Sequence, residues 1–209
     1  VSVMAVNNEA GTMHPLEEIG RLLKEQKQKI FFHVDAVQAY GKMPIDVKSW
    51  HIDLLSASGH KIHAPKGTGF LYIAKGVRIL PLVHGGGQEN HLRSGTENIP
   101  GILGLASAAS AAYAEMQARQ NQVCQVREAF LAELGVKLAD WRVNSPPDGL
   151  AYVLNLYFQG IKSEVLLHAL ESKGLYVSSG SACASKRDDL SHVLTAMGLS
   201  RVEIEGSIR

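Results

Sequence analysis

Short apolar runs that each break off at a polar residue, with helix-forming stretches between them, restrict the fold of this chain more than any other feature. Ile30-Phe31-Phe32-His33-Val34 stops at Asp35, and Asp53-Leu54-Leu55-Ser56-Ala57-Ser58 stops at Gly59. Val1 to Val6 is a third run. It is followed by the turn-rich Asn7-Asn8-Glu9-Ala10-Gly11-Thr12, and then by Pro15, which opens a helix carrying Leu16, Ile19, Leu22 and Leu23 on one face. Strands alternating with helices build an α/β protein with a mostly parallel sheet, in which ligands gather at the carboxyl ends of the strands. Asn8, Asp35 and Ser58 fall at such ends.

Further along, Gly69 to Ala74 reads as a strand and Leu80 to Arg93 as a loop. The Ala-rich stretch from Asn98 to about Asp140 reads as a long helix broken once. Glu115, Arg119 and Glu128 supply its solvated face and Leu131, Leu134 and Leu138 its buried one. Strands are expected at Trp141–Val143, Tyr152–Leu156 and Leu175–Ser178, with Ser163 capping a helix through Glu171. Val202 to Arg209 alternates apolar and polar residues, the pattern of a strand. The expected organisation is a large domain over residues 1–115 and a smaller α/β domain over residues 116–209. A chain that starts inside a strand and stops in one is expected to be truncated at both ends.

Composition narrows the function classes. Hydrophobic residues make up 45% of the 209, enough for a real core. Lys plus Arg number 21 against 20 for Asp plus Glu, with the signs mixed, so no nucleic-acid footprint is present. The two cysteines, Cys124 and Cys183, are far apart and lack metal-binding spacing, which favours a reducing, cytoplasmic setting over a disulfide framework. His60 and His63 lie three apart without a matching carboxylate or thiol, so no metal site is expected. His14, His51, His91, His168 and His192 read as polar surface residues. The apolar stretch Ile99 to Ala114 contains Pro100 and falls short of the roughly 20 residues a bilayer requires.

Chemistry concentrates in Ser58-Gly59-His60-Lys61. A lysine just after a buried strand has its ammonium form disfavoured, and the free amine is the nucleophile that condenses with an aldehyde. The plainer alternative is a surface lysine in a Gly-containing turn. Asp35, with Gln38 three residues later, suits a heteroaromatic cofactor: the carboxylate keeps a pyridine nitrogen protonated and the amide donates to a phenolic oxygen. Alternatively Asp35 only caps the following turn. Ser58, His60 and Thr96 are suited to holding a phosphate through hydroxyl and imidazole donors.

Taken together, His33-Val-Asp-Ala-Val-Gln38, Ser58-Gly-His-Lys61, His84-Gly-Gly-Gly-Gln-Glu89, Arg93-Ser-Gly-Thr96 and Ser178-Ser-Gly-Ser-Ala-Cys-Ala-Ser185 resemble, in order, the motifs of a cysteine desulfurase. The last string is similar to the group I, NifS/IscS-like branch of the class V, fold-type I pyridoxal-phosphate enzymes. The resemblance implies that Lys61 forms the Schiff base with pyridoxal 5'-phosphate, Asp35 faces its ring nitrogen, Gln38 its phenolate oxygen, and Ser58 and His60 its phosphate. It implies a homodimer in which Thr96 reaches the partner subunit's phosphate. Asn8 would lie near cofactor and substrate carboxylate, and Arg209 would clamp that carboxylate with its planar fork. Cys183, among small residues, would be the thiolate that takes sulfur from L-cysteine and passes it to an iron-sulfur scaffold or a tRNA-thiolation acceptor. Cys124 reads as an inert thiol in a helix. The segment ahead of Val1 would normally bring a phosphate loop and a ring stacked on the cofactor. Two rivals stand beside this reading: another fold-type I enzyme, such as an aminotransferase or selenocysteine lyase, and a non-catalytic docking module.

Overall fold

The structure, a computed structural model, describes residues 1–179 and 190–209. These divide into two compact units, one of Val1–Ala5 and His14–Met116, the other of Val6–Met13 and Gln117–Arg209.

In the first unit the apolar runs pair as the alternation requires. Strand β1 (Ser2–Met4) lies parallel to β2 (His33–Asp35), and β2 parallel to β3 (Leu54–Ser58), so that Val3, Val34 and Leu55 line up across the sheet. Parallel neighbours need a crossover, and α1 (Leu16–Lys24) supplies the one between β1 and β2. Strand β4 (Gly69–Ile73) returns antiparallel beside β3, with Gly69 opposite Ser58. Phe32, Val34, Ala36 and Leu55 are all buried, which fixes the register, because a one-residue slip would turn these side chains to the opposite face. Helix α1 seats closely: a Cβ on Gly20 would stand 1.9 Å from the Trp50 carbonyl oxygen. Leu16 is buried and Ile19 half-buried as the spacing predicts, but Leu22 is 45% exposed.

The long helix does break once. Helix α2 (Ile99–Ala114) begins where the Asn98 side chain accepts the Gly101 N–H at 3.1 Å, and α3 (Met116–Lys137) follows after Glu115, whose φ of −109° leaves the helical region. Ala112 of α2 packs with Ile62 and Ala64, and Tyr40, Leu105, Ala108 and Ala109 close around them. The expected buried stripe of α3 is corrected: Leu131 and Leu134 are only half-buried and Leu138 is 47% exposed. Val126, Phe130 and Val136 are exposed too, so apolar residues encircle the helix instead of forming one face.

In the second unit, β5 (Trp141–Val143), β6 (Leu156–Phe158) and β7 (Ser207–Ile208) form an antiparallel sheet in that order. The strand expected at Tyr152–Leu156 therefore starts only at its last residue. Upstream, Val153 N–H closes a turn on the Leu150 carbonyl, and Asn155 N–H donates to Ser145 Oγ at 2.8 Å. Leu175–Ser178 forms no strand: Leu175 and Tyr176 are exposed, and only Ser178 exchanges backbone bonds with Arg209, at 2.9 and 2.7 Å. Helix α4 (Ser163–Glu171) appears where expected, but Ser163 is its first residue, and Lys162 occupies the cap position without a side-chain bond. Helix α5 (His192–Ala196) is capped by Ser191.

The expected C-terminal strand is the largest correction. Arg201–Glu205 is a helix, α6, and only Ser207–Ile208 is extended. Ser200 and Glu203 form a reciprocal capping box, in which both the Ser200 N–H and its hydroxyl donate to the Glu203 carboxylate. These bonds hold the Glu203 carboxyl below its usual range. Ser200→Ala is expected to cost about 1 kcal/mol, read as a lower urea midpoint at unchanged slope. Among the described residues, no helix is long and apolar enough to cross a membrane.

Candidate active site

The carboxyl ends of β2 and β3 carry the expected cofactor residues of the first unit. Asp35 stands opposite Ser56 in the register, so Ser58, two residues on, lies at the rim next to it. One oxygen of Asp35 accepts the Val37 N–H at 2.9 Å, an Asx turn that steers the chain out of the strand. The turn-capping reading of Asp35 is thus met. Gln38 lies in that turn, half-buried, and Ala39 and Tyr40 donate back to the Ala36 carbonyl.

Beyond β3 the chain coils into a single 3-10 turn, Gly59–Ile62, which closes on His63 at a positive φ of 67°. Gly59 is required there, because a Cβ would come within 2.5 Å of Thr68 Oγ1 and 2.9 Å of Ala64. Ser58 Oγ and His60 Nδ1 share a hydrogen bond of 2.6 Å, so the two expected phosphate donors are already side by side. Lys61 is half-buried on the same turn, and Ile62 behind it is buried. A carboxylate on one strand end, with a hydroxyl, an imidazole and an amine on the next, is the donor set that fits pyridoxal phosphate. Anionic phosphate, aldehyde carbon and basic ring nitrogen each find their chemical complement.

Thr96 does not join this cluster through any hydrogen bond among the described residues. It is exposed on the loop between the 3-10 turn Gln88–His91 and α2. In the second unit the two expected substrate residues do meet: Arg209 Nη1 donates to the Asn8 carbonyl at 2.7 Å. Asn7 orders this loop by accepting the N–H groups of Glu9 and Ala10, and Glu9, 2% exposed, accepts the Ser191 hydroxyl at 2.5 Å. Cys183 lies outside the described residues. Cys124 is half-buried in α3.

A cleft of about 670 Å³ opens at the amino ends of β2 and β3, lined among others by Lys24, Lys29, His51, Asp53 and Lys75. It is at the opposite end of the strands from Asp35 and Lys61. His14, expected at the surface, is half-buried, with Nδ1 unpartnered among the described residues. Two residues were missed in the sequence. His33 bridges three strands through Ser2 Oγ at 2.7 Å and Ser56 Oγ at 3.2 Å. Lys42 is held where burial, and then the positive charge of Lys61, lower it to about 8. Its signal was a lysine directly after Gly41, one turn beyond Asp35.

The profile of the aminotransferase class-V family matches residues 1–207. This chain belongs to that family. Its members are pyridoxal-phosphate enzymes, in agreement with the donor set at Asp35 and Ser58–Lys61. The chain is 48% identical over its whole length to the cysteine desulfurase IscS of Methanosarcina thermophila, of which it covers 51%. It is 49% identical to the putative cysteine desulfurase IscS 1 of Bacillus subtilis, covering 55% of that protein. A solved NifS-like protein superposes with a TM-score of 0.86 at 39% identity, over 100% of this chain and 54% of the other. The class-V chain therefore spans about half the length of the curated relatives it matches.

Proposed function

We propose that this chain is part of a pyridoxal-phosphate-dependent cysteine desulfurase, which converts L-cysteine to L-alanine and transfers the sulfur to an enzyme cysteine. The observation carrying this reading is the register that sets Asp35 beside Ser58–Gly59–His60–Lys61. The desulfurase relatives, matched along the entire chain, support it. When bound, pyridoxal phosphate draws electron density from the carbon bearing the substrate's amino group. Ser58 Oγ and His60 bind its phosphate, Gln38 donates to its phenolic oxygen, and the Asp35 carboxylate holds a proton at its ring nitrogen.

Lys61 Nζ would hold the cofactor and would serve as the base that takes the proton from the substrate α-carbon. Asn8 and Arg209 orient the substrate carboxylate. Cys183, as a thiolate, attacks the substrate sulfur: an S–S bond forms, the C–S bond breaks with its electron pair left on carbon, and that carbon takes up a proton on the way to alanine. Thr96 completes the phosphate site of a second copy in a homodimer. The setting is cytoplasmic, and the sulfur passes to an iron-sulfur scaffold or a tRNA-thiolation acceptor.

The test is to incubate the protein with pyridoxal phosphate, L-cysteine and a thiol reductant, measuring alanine and sulfide together. Equimolar alanine and sulfide, both lost in Cys183→Ala while the yellow cofactor absorbance stays, is the expected result. Unchanged turnover of L-cysteine in Cys183→Ala would assign the site to another fold-type I reaction. Absence of any cofactor absorbance would leave a docking module.

A further inference from the structure

Within the second unit, Asn155 is 0% exposed, and each of its four polar atoms is hydrogen-bonded. Its N–H donates to Ser145 Oγ at 2.8 Å, and its carbonyl accepts the Asn144 N–H at 2.9 Å. Its side-chain oxygen accepts Asn144 Nδ2 at 2.8 Å, and its own Nδ2 donates to the Glu9 carbonyl at 3.3 Å. Turning this amide over would set donor against donor at Asn144 and acceptor against acceptor at Glu9, so the neighbours fix its orientation.

Polar atoms this deep are costly unless bonded, and an apolar side chain would fill the space without that requirement. What the bonds join gives the residue its use. Glu9 directly follows Asn8. Their loop is held by Asn7 Oδ1, which accepts the Glu9 N–H at 2.8 Å, and by the buried Glu9 carboxylate, which accepts the Ser191 hydroxyl. On the other side, Asn144 Nδ2 also donates to Ser207 Oγ at 2.9 Å, and Ser207, 1% exposed, donates to the Glu203 carbonyl at 2.6 Å. Ser207 opens β7, two residues before Arg209, and Arg209 Nη1 returns to the Asn8 carbonyl at 2.7 Å. The bonds thus close a circuit from Asn155 through Glu9 and Asn8 to Arg209, and back through Ser207 and Asn144. Because it closes, neither arm can shift without stretching a bond in the other.

We infer that Asn155 is a positioning residue for Asn8 and Arg209: it ties the loop carrying one to the strand end carrying the other, and so presents both to a substrate carboxylate at a fixed separation. The inference rests on the reading of Asn8 and Arg209 as the carboxylate-orienting pair, and extends it to a residue that touches no substrate. Arg209 gains most, because a guanidinium fork makes two parallel bonds to a carboxylate only when its plane is held.

The experiment follows phenylglyoxal labelling of the full chain without cofactor, each arginine-bearing peptide being quantified by mass spectrometry. Asn155→Leu keeps a branched side chain and removes both arms. In it, Arg209 labelling should quicken on the order of 3- to 10-fold, the factor of one lost hydrogen bond, while Arg21 and Arg78 of the first unit keep their parent rates. Ser207→Ala cuts the Arg209 arm alone and should quicken Arg209 in the same way. Ser200→Ala weakens the cap of α6 but lies off the circuit, and should leave Arg209 at the parent rate. Parent-rate labelling of Arg209 in whichever circuit variant folds overturns the proposal, and so does an equal rise in Ser200→Ala. The parent supplies a measurement that needs no variant to fold. The side-chain NH2 protons of Asn155 should exchange with solvent at least about 10-fold more slowly than those of the exposed Asn90 and Asn121, and equal exchange overturns the proposal.

Turnover gives a further readout. With pyridoxal phosphate and L-cysteine, Asn155→Leu should raise KM roughly 3- to 10-fold and leave kcat within about 2-fold, the split expected when the hold on the carboxylate loosens and the reacting atoms are untouched. A fall in kcat at unchanged KM overturns the proposal. A parent that turns over no L-cysteine would tell against the desulfurase reading instead. The labelling and the exchange, made without cofactor, would still decide whether Asn155 holds Arg209.

Discussion

Lys61→Ala is expected to leave a folded protein that takes up no pyridoxal phosphate covalently. After incubation with the cofactor, borohydride reduction and removal of free reagent, the parent should carry one cofactor mass on the peptide containing Lys61. The variant should carry none above background. The expectation rests on a single atom, because Nζ is the only nucleophile on the 3-10 turn that can form a carbon–nitrogen bond with an aldehyde. Ser58 and His60 remain hydrogen-bonded to one another without it, so weak non-covalent binding of the phosphate should survive. Labelling of the variant at another lysine, with parent-like yield, would move the aldehyde-reacting group away from the rim of β3.

Gly20→Ala is expected to have the largest effect on stability. The added methyl would be placed 1.9 Å from the Trp50 carbonyl oxygen and 2.9 Å from its carbonyl carbon, both backbone atoms that cannot swing aside as a side-chain tip can. Helix propensity favours alanine by roughly 1 kcal/mol, but overpacking of this kind costs about 3 kcal/mol and wins. The net loss, on the order of 2 kcal/mol, should lower Tm by roughly 4–8 °C in thermal unfolding. A Tm at or above the parent's would mean that α1 is not seated on the Trp50 turn as described.

What the sequence made legible followed from how local each signal is. Strands β2 and β3 were readable because their apolar runs are buried and end abruptly at Asp35 and Gly59, where site residues begin. That the long helix breaks once was readable, but Glu115, where it breaks, read only as part of the solvated face. The C-terminal segment misled because Val202-Glu203-Ile204-Glu205 alternates like a strand, while Ser200 and Glu203, three apart, carry the stronger helix-start signal. Only Ile204 of α6 is buried, so packing left the periodicity weak and the cap decided the conformation. In α3, Val136 at 84% exposure shows why a stripe could not be read: composition there does not sort by face.

The site divided along the same line. The candidates Asp35, Ser58, His60 and Lys61 were visible because each ends a strand or follows one within a few residues. The burial of Lys42 was not, because Gly41 packs against Ile62, 21 positions later, a contact no spacing rule encodes. The Arg209 to Asn8 bond, linking positions 201 residues apart, was read from neither pattern nor resemblance, which named the two residues only separately.

The hydrogen bonds at the ends of β2 and β3 span only two residues each, Asp35 to Val37 and Ser58 to His60. Their aim is thus written into two short peptides, whereas Gly41 against Ala112 and Gly59 against Leu105 seat those peptides on α2. Moving this rim to an unrelated parallel sheet would therefore require residues 99–112 to travel with residues 33–43 and 54–64.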